Sequence, residues 1–294
     1  MFKSHVRVRA LAIYIGAIML AFNMGDGSSA WSGAKALPSA QQDKRFTEYR
    51  RLLEKYSNEL GPLGHSAQNE IEIILDSEKM KEIESRTGRT IGVILDDPFW
   101  LLLNDPVRFP NGKSGVYGRL LWKKSLGGIA GVAVMAITAD GRVALNRNYR
   151  HATRSWEYEL PRGGIEKGES AQEGALREVK EETGFIIKDL KPLGEMANDS
   201  GMTSGITSVY LANAGVRGNS SPEDSEAIAA VETFSLSDIR KGLMAGYLTL
   251  HTKDHSNGQV RDQKIRIPLR DSFLTFGMWQ AEARGLLPKI IIQK

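Results

Sequence analysis

No cysteine occurs in this chain of 294 residues. That absence excludes disulfides, thiolate zinc sites and cysteine nucleophiles together, and it leaves the redox compartment open. A hard, oxygen-ligated cation such as Mg²⁺ or Mn²⁺ remains available to such a chain. Excess charge of one sign is missing too. The formal net charge is +4, and Lys3, Arg7 and Arg9 supply three of those charges close to the N-terminus. The remainder is near neutral and holds no basic run, which argues against nucleic acid as a partner. No internal repeat is visible. The one long apolar run, Ala10 to Phe22, is shorter than the ~20 residues that a spanning helix needs.

What surrounds that run has the layout of a targeting segment. Lys3, His5, Arg7 and Arg9 precede it, and small and polar residues follow, with small-residue cleavage positions after Ala30 or Ala36. The alternative is a start placed too early, since Met19 and Met24 lie just downstream. Residues 1–40 are therefore set apart as a signal-like or disordered leader. If residues 1–36 act as a signal, the protein is exported or anchored, and membrane contact runs only through this apolar segment.

Beyond the leader, hydrophobic spacing outlines the elements. Phe46, Tyr49, Leu52, Leu53, Tyr56 and Leu60 recur at helical intervals, and Gly61-Pro62 stops the helix. A short β-compatible stretch spans residues 70–75. Ser77 is the expected cap of a helix that ends before Gly88, and residues 90–95 read as a strand. Residues 41–104 thus form a helical and strand extension, with residues 105–294 expected as the main domain. Its strands are expected at 107–109, 116–122, 129–138, 142–148, 156–160, 185–187, 208–212 and 229–234. Helices are expected over 170–183, 236–245 and 272–284. Strands mixed with a few helices indicate an α/β or α+β class.

The segment from Gly163 to Phe185 carries the chemistry. Ser170-Ala-Gln-Glu173 is a capping-box pattern, and Gly184 stands where a left-handed C-cap residue is wanted. At 100° per residue, Glu178 and Glu182 lie only about 40° apart, with Glu181 to one side. Ala171 and Ala175 share their face and are expected to leave room for an ion. Val179 and Leu176 are expected on the packed side. Arg177 is expected to point elsewhere and pair with Glu169. Carboxylates at i and i+4 repel, and a bound divalent cation reverses that sign.

Gly163, Glu169, Arg177, Glu178, Glu181, Glu182 and Gly184, at these intervals, resemble the Nudix box with every defining position filled. The resemblance implies an α/β/α sandwich with a mixed sheet and a divalent-metal pyrophosphohydrolase acting on nucleoside diphosphates linked to another moiety. By the same resemblance Glu178 and Glu182 are the principal ligands of Mg²⁺ or Mn²⁺. Glu181 is a further ligand or a water-activating group, and the backbone of Arg162-Gly163 lends a carbonyl. Glu169 and Arg177 would support the loop and helix.

Upstream, Arg147-Asn-Tyr-Arg150 and Trp156-Glu-Tyr-Glu159-Leu-Pro161 look like the corresponding run of ADP-ribose pyrophosphatases. Arg150, Glu159 and Arg162 are the substrate-binding candidates that follow. An arginine suits a pyrophosphate, and a carboxylate suits ribose hydroxyls or an adenine amino group. Downstream, Asn198 to Thr203 lacks the proline expected of that subgroup. The acidic loop at 223–226 matches the region that supplies a late catalytic glutamate: Glu226 first, Glu223 or Asp224 second. The expectation is hydrolysis of ADP-ribose or a related nucleotide sugar. Dinucleoside polyphosphates or NADH are the alternative substrates, and a non-catalytic nucleotide sensor is the alternative class. The substrate class favours the cytoplasm, and the subgroup's habit of pairing through N-terminal strands is compatible with a homodimer.

Overall fold

The computed structural model describes residues 39–126, 128–223, 226–254 and 261–287. The leader expected over residues 1–40 lies almost wholly outside them, as does Asp224. Contacts divide the chain into two compact units, one of residues up to Gly128 with Asp199–Gly205, the other of Ile129–Asn198 with Ile206 onward. Among the described residues no helix is long and apolar enough to cross a membrane.

The first unit packs two helices, α1 (Ser39–Lys55) and α2 (Ser77–Thr87), on a small antiparallel sheet. A short helical turn, Ser57–Leu60, follows α1. The strands are β1 (Glu72–Ile73), β2 (Gly92–Asp96), β3 (Trp100–Arg108) and β4 (Ser114–Trp122). β3 is central, flanked by β1 and β2, and forms a hairpin with β4. It runs through position 105, where the sequence suggests a domain start. The apolar stripe of α1 finds its partner here: Phe46, Tyr49 and Leu53 bury against Met80, Ile83, Leu101 and Leu103. Asp76, not Ser77, caps α2, its carboxylate accepting the Lys79 N–H at 2.9 Å. Ser77 instead begins the helix, and Gly88 ends it with φ of 66°.

The second unit is a mixed sheet with helices on both faces. Its strands are β5 (Ile129–Ile137), β6 (Arg142–Arg150), β7 (Ser155–Glu159), β8 (Arg162–Gly164), β9 (Phe185–Ala197), β10 (Ile206–Arg217) and β11 (Ile228–Ser235). The order is β11-β6-β5-β10-β9; β7 pairs with β6 and β8 with β5. Among the described strands of this sheet, β5 and β10 form the parallel pair. Helix α3 (Ala171–Thr183) covers one face, meeting Val132, Val134, Ala136 and Ala144. The other face, with Ala133, Met135, Val143 and Leu145, is covered by α4 (Leu236–Ala245), the hairpin of β12 (Tyr247–Asp254) and β13 (Arg261–Pro268), and α5 (Ser272–Ala283). This is the α/β/α sandwich expected. Alternation along β5 sends its even positions to one helix layer and its odd ones to the other, as period two requires.

Several strands exceed expectation, β9 and the β12–β13 hairpin most of all. β9 extends to Ala197 through Pro192, tolerated because β9 is an edge strand and its register shifts beside Pro192. The β12–β13 hairpin has no counterpart among the expected strands.

Candidate functional site

Helix α3 is fixed at both ends. The Ser170 hydroxyl accepts the Glu173 N–H at 3.2 Å, and Glu173 accepts the Ser170 N–H at 2.8 Å. Gly184, with φ of 76°, closes the last turn onto the Lys180 carbonyl. This register turns Glu178 and Glu182 toward the sheet, where both are buried. Glu178 lies against Gly163: a Cβ there would stand 2.2 Å from its carboxylate. The Gly163 carbonyl, a candidate ligand, lies over Gly131, 2.8 Å from where a Cβ of Gly131 would be.

Glu182 is held asymmetrically. Its Oε2 accepts the Asn146 amide at 2.7 Å and the Arg162 N–H at 2.9 Å. Its Oε1 is buried without a hydrogen-bond partner, and so is the Asn146 Oδ1. Burial drives the Glu182 carboxyl well above its ordinary range; the charge and close carboxyl approach of Glu226, and then the charge of Glu178, add to the rise, while the Arg162 N–H opposes it. Burial also pushes Glu178 up to about 7; Arg177 pulls it down, while Glu226 and Glu181 repel it.

Three expectations for this helix are corrected. Ala175 is fully buried among Val132, Val134 and Val179, with Ala171 partly buried beside them, so these small side chains bring helix and sheet together and make no room for an ion. Leu176 is 40% exposed on the outer face. Arg177 does not turn away from the acidic face. It bonds Glu169 at 2.9 and 3.0 Å, Glu178 at 2.7 Å, Glu181 at 3.0 Å and the Gly164 carbonyl at 2.7 Å. One guanidinium thus ties the glycine loop to three of the box carboxylates. Its length lets it reach both i+1 and i+4 neighbours.

The loop after β10 folds back on the C-terminal end of α3 through Ser221 N–H to the Glu181 carbonyl, 2.7 Å, and Gly218 N–H to the Gly184 carbonyl, 2.8 Å. It brings Glu226, partly buried, close enough for its charge to act on Glu178, Glu182 and Arg150. Glu223 is exposed, its carbonyl accepting the Glu226 N–H at 2.9 Å. Glu181 is the most accessible of the three helix carboxylates.

The donor set fits a hard divalent cation: only oxygens, several mutually repelling, one of them buried and unpartnered. Among the described residues, however, no three carboxylates or imidazoles stand close enough to make a ready-built metal cluster. Arg177 currently supplies part of the positive charge that a cation would bring.

Beside the carboxylates lies a buried ionic network. Glu159, 1% exposed, accepts Arg150 at 2.5 and 2.8 Å, Arg162 at 2.7 Å and the Asn148 amide at 3.0 Å. Its oxygens are saturated by protein donors, so it anchors the two arginines. Arg162 continues to Asp271 at 3.2 Å and lies 5.1 Å over the Phe273 ring. Asp271 and Asn146 escape a motif search. The signals were a polar residue interrupting the apolar run at 143–145 and an aspartate just before a helix start. The segment Asn198–Thr203 forms a turn closed by Thr203 N–H to the Asp199 carbonyl at 2.8 Å. Its residues from Asp199 belong with the first unit, where the Leu120 N–H bonds the Met202 carbonyl at 2.9 Å.

A model of the NUDIX domain matches residues 129–251. Over 142 residues the chain is 30% identical to an ADP-ribose pyrophosphatase of Bacillus subtilis (strain 168), covering 45% of this chain and 68% of that protein. Over 140 residues it is 29% identical to a methanol dehydrogenase activator of Bacillus methanolicus, covering 47% and 67%. Among solved structures, a crystal structure of an ADP compounds hydrolase aligns with a TM-score of 0.44 at 25% identity, over 52% of this chain and 79% of that one.

Proposed function

Because this chain belongs to the Nudix hydrolase family, we propose that it cleaves the pyrophosphate bond of ADP-ribose or a related nucleoside diphosphate sugar, dependent on a divalent metal. The products are a nucleoside monophosphate and a sugar phosphate. The observation that carries the reading is the unpartnered Oε1 of Glu182, buried within a repelling carboxylate group and adjoining two arginines tied to one glutamate.

Glu178 and Glu182, flanked by Glu181 and Glu226, would hold Mg²⁺ or Mn²⁺, with the Arg162-Gly163 backbone beside them. When bound, the cation supplies neutralisation of pyrophosphate charge and an acidified water. The protein's own groups do the rest. Arg150 and Arg162, oriented by Glu159, would offer the N–H groups not engaged by Glu159 or Asp271 to phosphate oxygens as charge-assisted hydrogen bonds. Hydrolysis forms one bond from water oxygen to phosphorus and breaks the bond to the bridging oxygen. Glu226 or Glu181 would take the proton released; both are only partly buried, unlike Glu178 and Glu182.

The similarity to an ADP-ribose pyrophosphatase supports this substrate class. The missing proline at 198–203 is the observation that favours a second reading, in which the substrate is a dinucleoside polyphosphate or NADH. Retention of every box carboxylate speaks against a sensor without activity. The test is turnover of ADP-ribose, other nucleoside diphosphate sugars, NADH and diadenosine polyphosphates with Mg²⁺, with products resolved by chromatography. ADP-ribose giving AMP and ribose 5-phosphate is the expected result. Folded protein that turns over none of them refutes the proposal.

A further inference from the structure

We propose that Asp271, at the head of the last described helix, is a positioning residue that holds the segment Glu159–Arg162 in place against the carboxylate helix α3. The inference rests on the reading above only for what the site binds. Asp271 lies beyond residues 129–251, the part matched by the NUDIX model. It is buried and serves three donors at once. Its Oδ2 accepts the Leu160 N–H at 2.8 Å; its Oδ1 accepts the Phe273 N–H at 3.1 Å and the Arg162 guanidinium at 3.2 Å.

The place it grips is a junction. β7 pairs with β6, β8 pairs with β5, and Leu160-Pro161 makes the crossing between them. Leu160 falls outside both ladders, and Asp271 supplies the acceptor its buried N–H needs. Two residues on, Arg162 is held from both ends. Its side chain spans Asp271 and Glu159, and its backbone N–H donates to Glu182 Oε2. That donation, with the Asn146 amide, fixes which oxygen of Glu182 stays unpartnered. Asp271 therefore acts on the carboxylate site at one remove, through the backbone of Arg162.

A helix cap alone explains only the Phe273 contact. Asparagine caps helices as well as aspartate does, so Asp271→Asn keeps the Phe273 contact through its one oxygen, while it removes the charge facing Arg162 and sets an amide donor where the Leu160 N–H needs an acceptor. Ser235 provides the control. It caps α4 by accepting the Asp238 N–H three residues on, at 3.1 Å, and makes no hydrogen bond to Glu159, Leu160 or Arg162.

The experiment uses the full chain and compares Asp271→Asn, Asp271→Ala and Ser235→Ala with the unaltered protein. Mn²⁺ affinity is read without substrate by electron paramagnetic resonance, kcat and KM with ADP-ribose and Mg²⁺, and stability by thermal melting. Loss of a group hydrogen-bonded directly to a metal ligand costs about 10–100-fold in metal affinity; Asp271 acts one bond further out, through Leu160 and Arg162, so the low end, about tenfold, is expected. Asp271→Asn is expected to weaken Mn²⁺ by about that factor and to lower kcat, while its melting temperature falls below that of the unaltered protein but the variant still melts cooperatively above the assay temperature. Ser235→Ala should leave Mn²⁺ affinity and kcat unchanged. The proposal is overturned if Asp271→Asn keeps Mn²⁺ affinity within twofold, if Ser235→Ala loses as much, or if the unaltered protein binds no Mn²⁺. Asp271→Asn keeps the test open should Asp271→Ala fail to fold. Should ADP-ribose not be a substrate while the Mn²⁺ loss is seen, the substrate reading fails and the positioning role stands.

Discussion

Replacing Gly163 by alanine separates the site from the fold more cleanly than removing a carboxylate would. The added methyl would lie 2.2 Å from the Glu178 carboxylate, where ordinary contact begins at 3.4 Å. The obstacle is the far end of a flexible side chain, so Glu178 must retreat by about 1.2 Å, leaving its present rotamer at a cost of roughly 0.5–1.5 kcal/mol. Gly163 does not have a positive φ. Alanine there recovers roughly 0.4–1 kcal/mol by restricting the unfolded chain. The two effects nearly cancel, and stability should change by no more than about 1 kcal/mol. Function should not be spared: displacing a reacting or liganding group by about 1 Å can cost on the order of 10²-fold. The expected outcome for Gly163→Ala is a near-normal melting curve with Mn²⁺ affinity and kcat down by about two orders of magnitude. Gly131→Ala is the contrasting control. Its methyl would stand 2.8 Å from the Gly163 carbonyl oxygen, a backbone atom that cannot swing aside, so stability falls first. Normal Mn²⁺ binding and turnover in Gly163→Ala would refute the placement of Glu178 at the centre of the site.

Glu182→Gln should abolish turnover, since it removes the unpartnered carboxylate oxygen, yet it should raise the melting temperature of metal-free protein at pH 8. The reason is that a buried carboxylate facing Glu226 and Glu178 is a repulsive charge until a cation arrives; a lowered melting temperature would contradict it. The pH dependence of metal-free stability carries the same sign. Glu178 titrates at about 7 in the folded protein against an ordinary 4.5, and Glu182 is raised as well, so the folded state binds more protons than the unfolded between those values. Stability from this pair is therefore gained as pH falls from above 7 toward 4.5 and lost as it rises. Urea denaturation across that window should show the slope, Glu178→Gln should flatten it, and saturating Mg²⁺ should offset the loss at high pH.

Local signals carried the fold as far as local physics reaches. The capping box at Ser170 and Glu173 and the glycine at 184 fixed α3 because caps are satisfied within a turn of the chain. α4 coincides with its expected span, Leu236–Ala245, for the same reason. The strand expected over 185–187 continues in β9 through Lys188, Asp189, Lys191 and Pro192, which an edge strand accepts.

The site divides along the same line. Helical angle placed Glu178, Glu181 and Glu182 correctly relative to one another, but angle says nothing about reach. Arg177, assigned away from the acidic face, extends back to bond Glu178 and Glu181. Ala175 shares the angle of the carboxylates but sits lower on the helix, over the apolar strand centres rather than over the glycine loop. Glu159 was legible as a residue of interest and illegible in its function, since its role depends on Arg150 and Arg162 saturating its oxygens. Asp271 was legible only as a helix-cap position, not as a partner of the site: Leu160, whose N–H it accepts, lies 111 positions away. A motif marks the groups that must face the substrate. The groups that hold them there are chosen by where the chain happens to return, and in this fold the return is made by α5. That helix lies outside the matched segment, so truncation or grafting at residue 251 would leave every motif residue in place and still remove the acceptor that fixes Leu160 and Arg162.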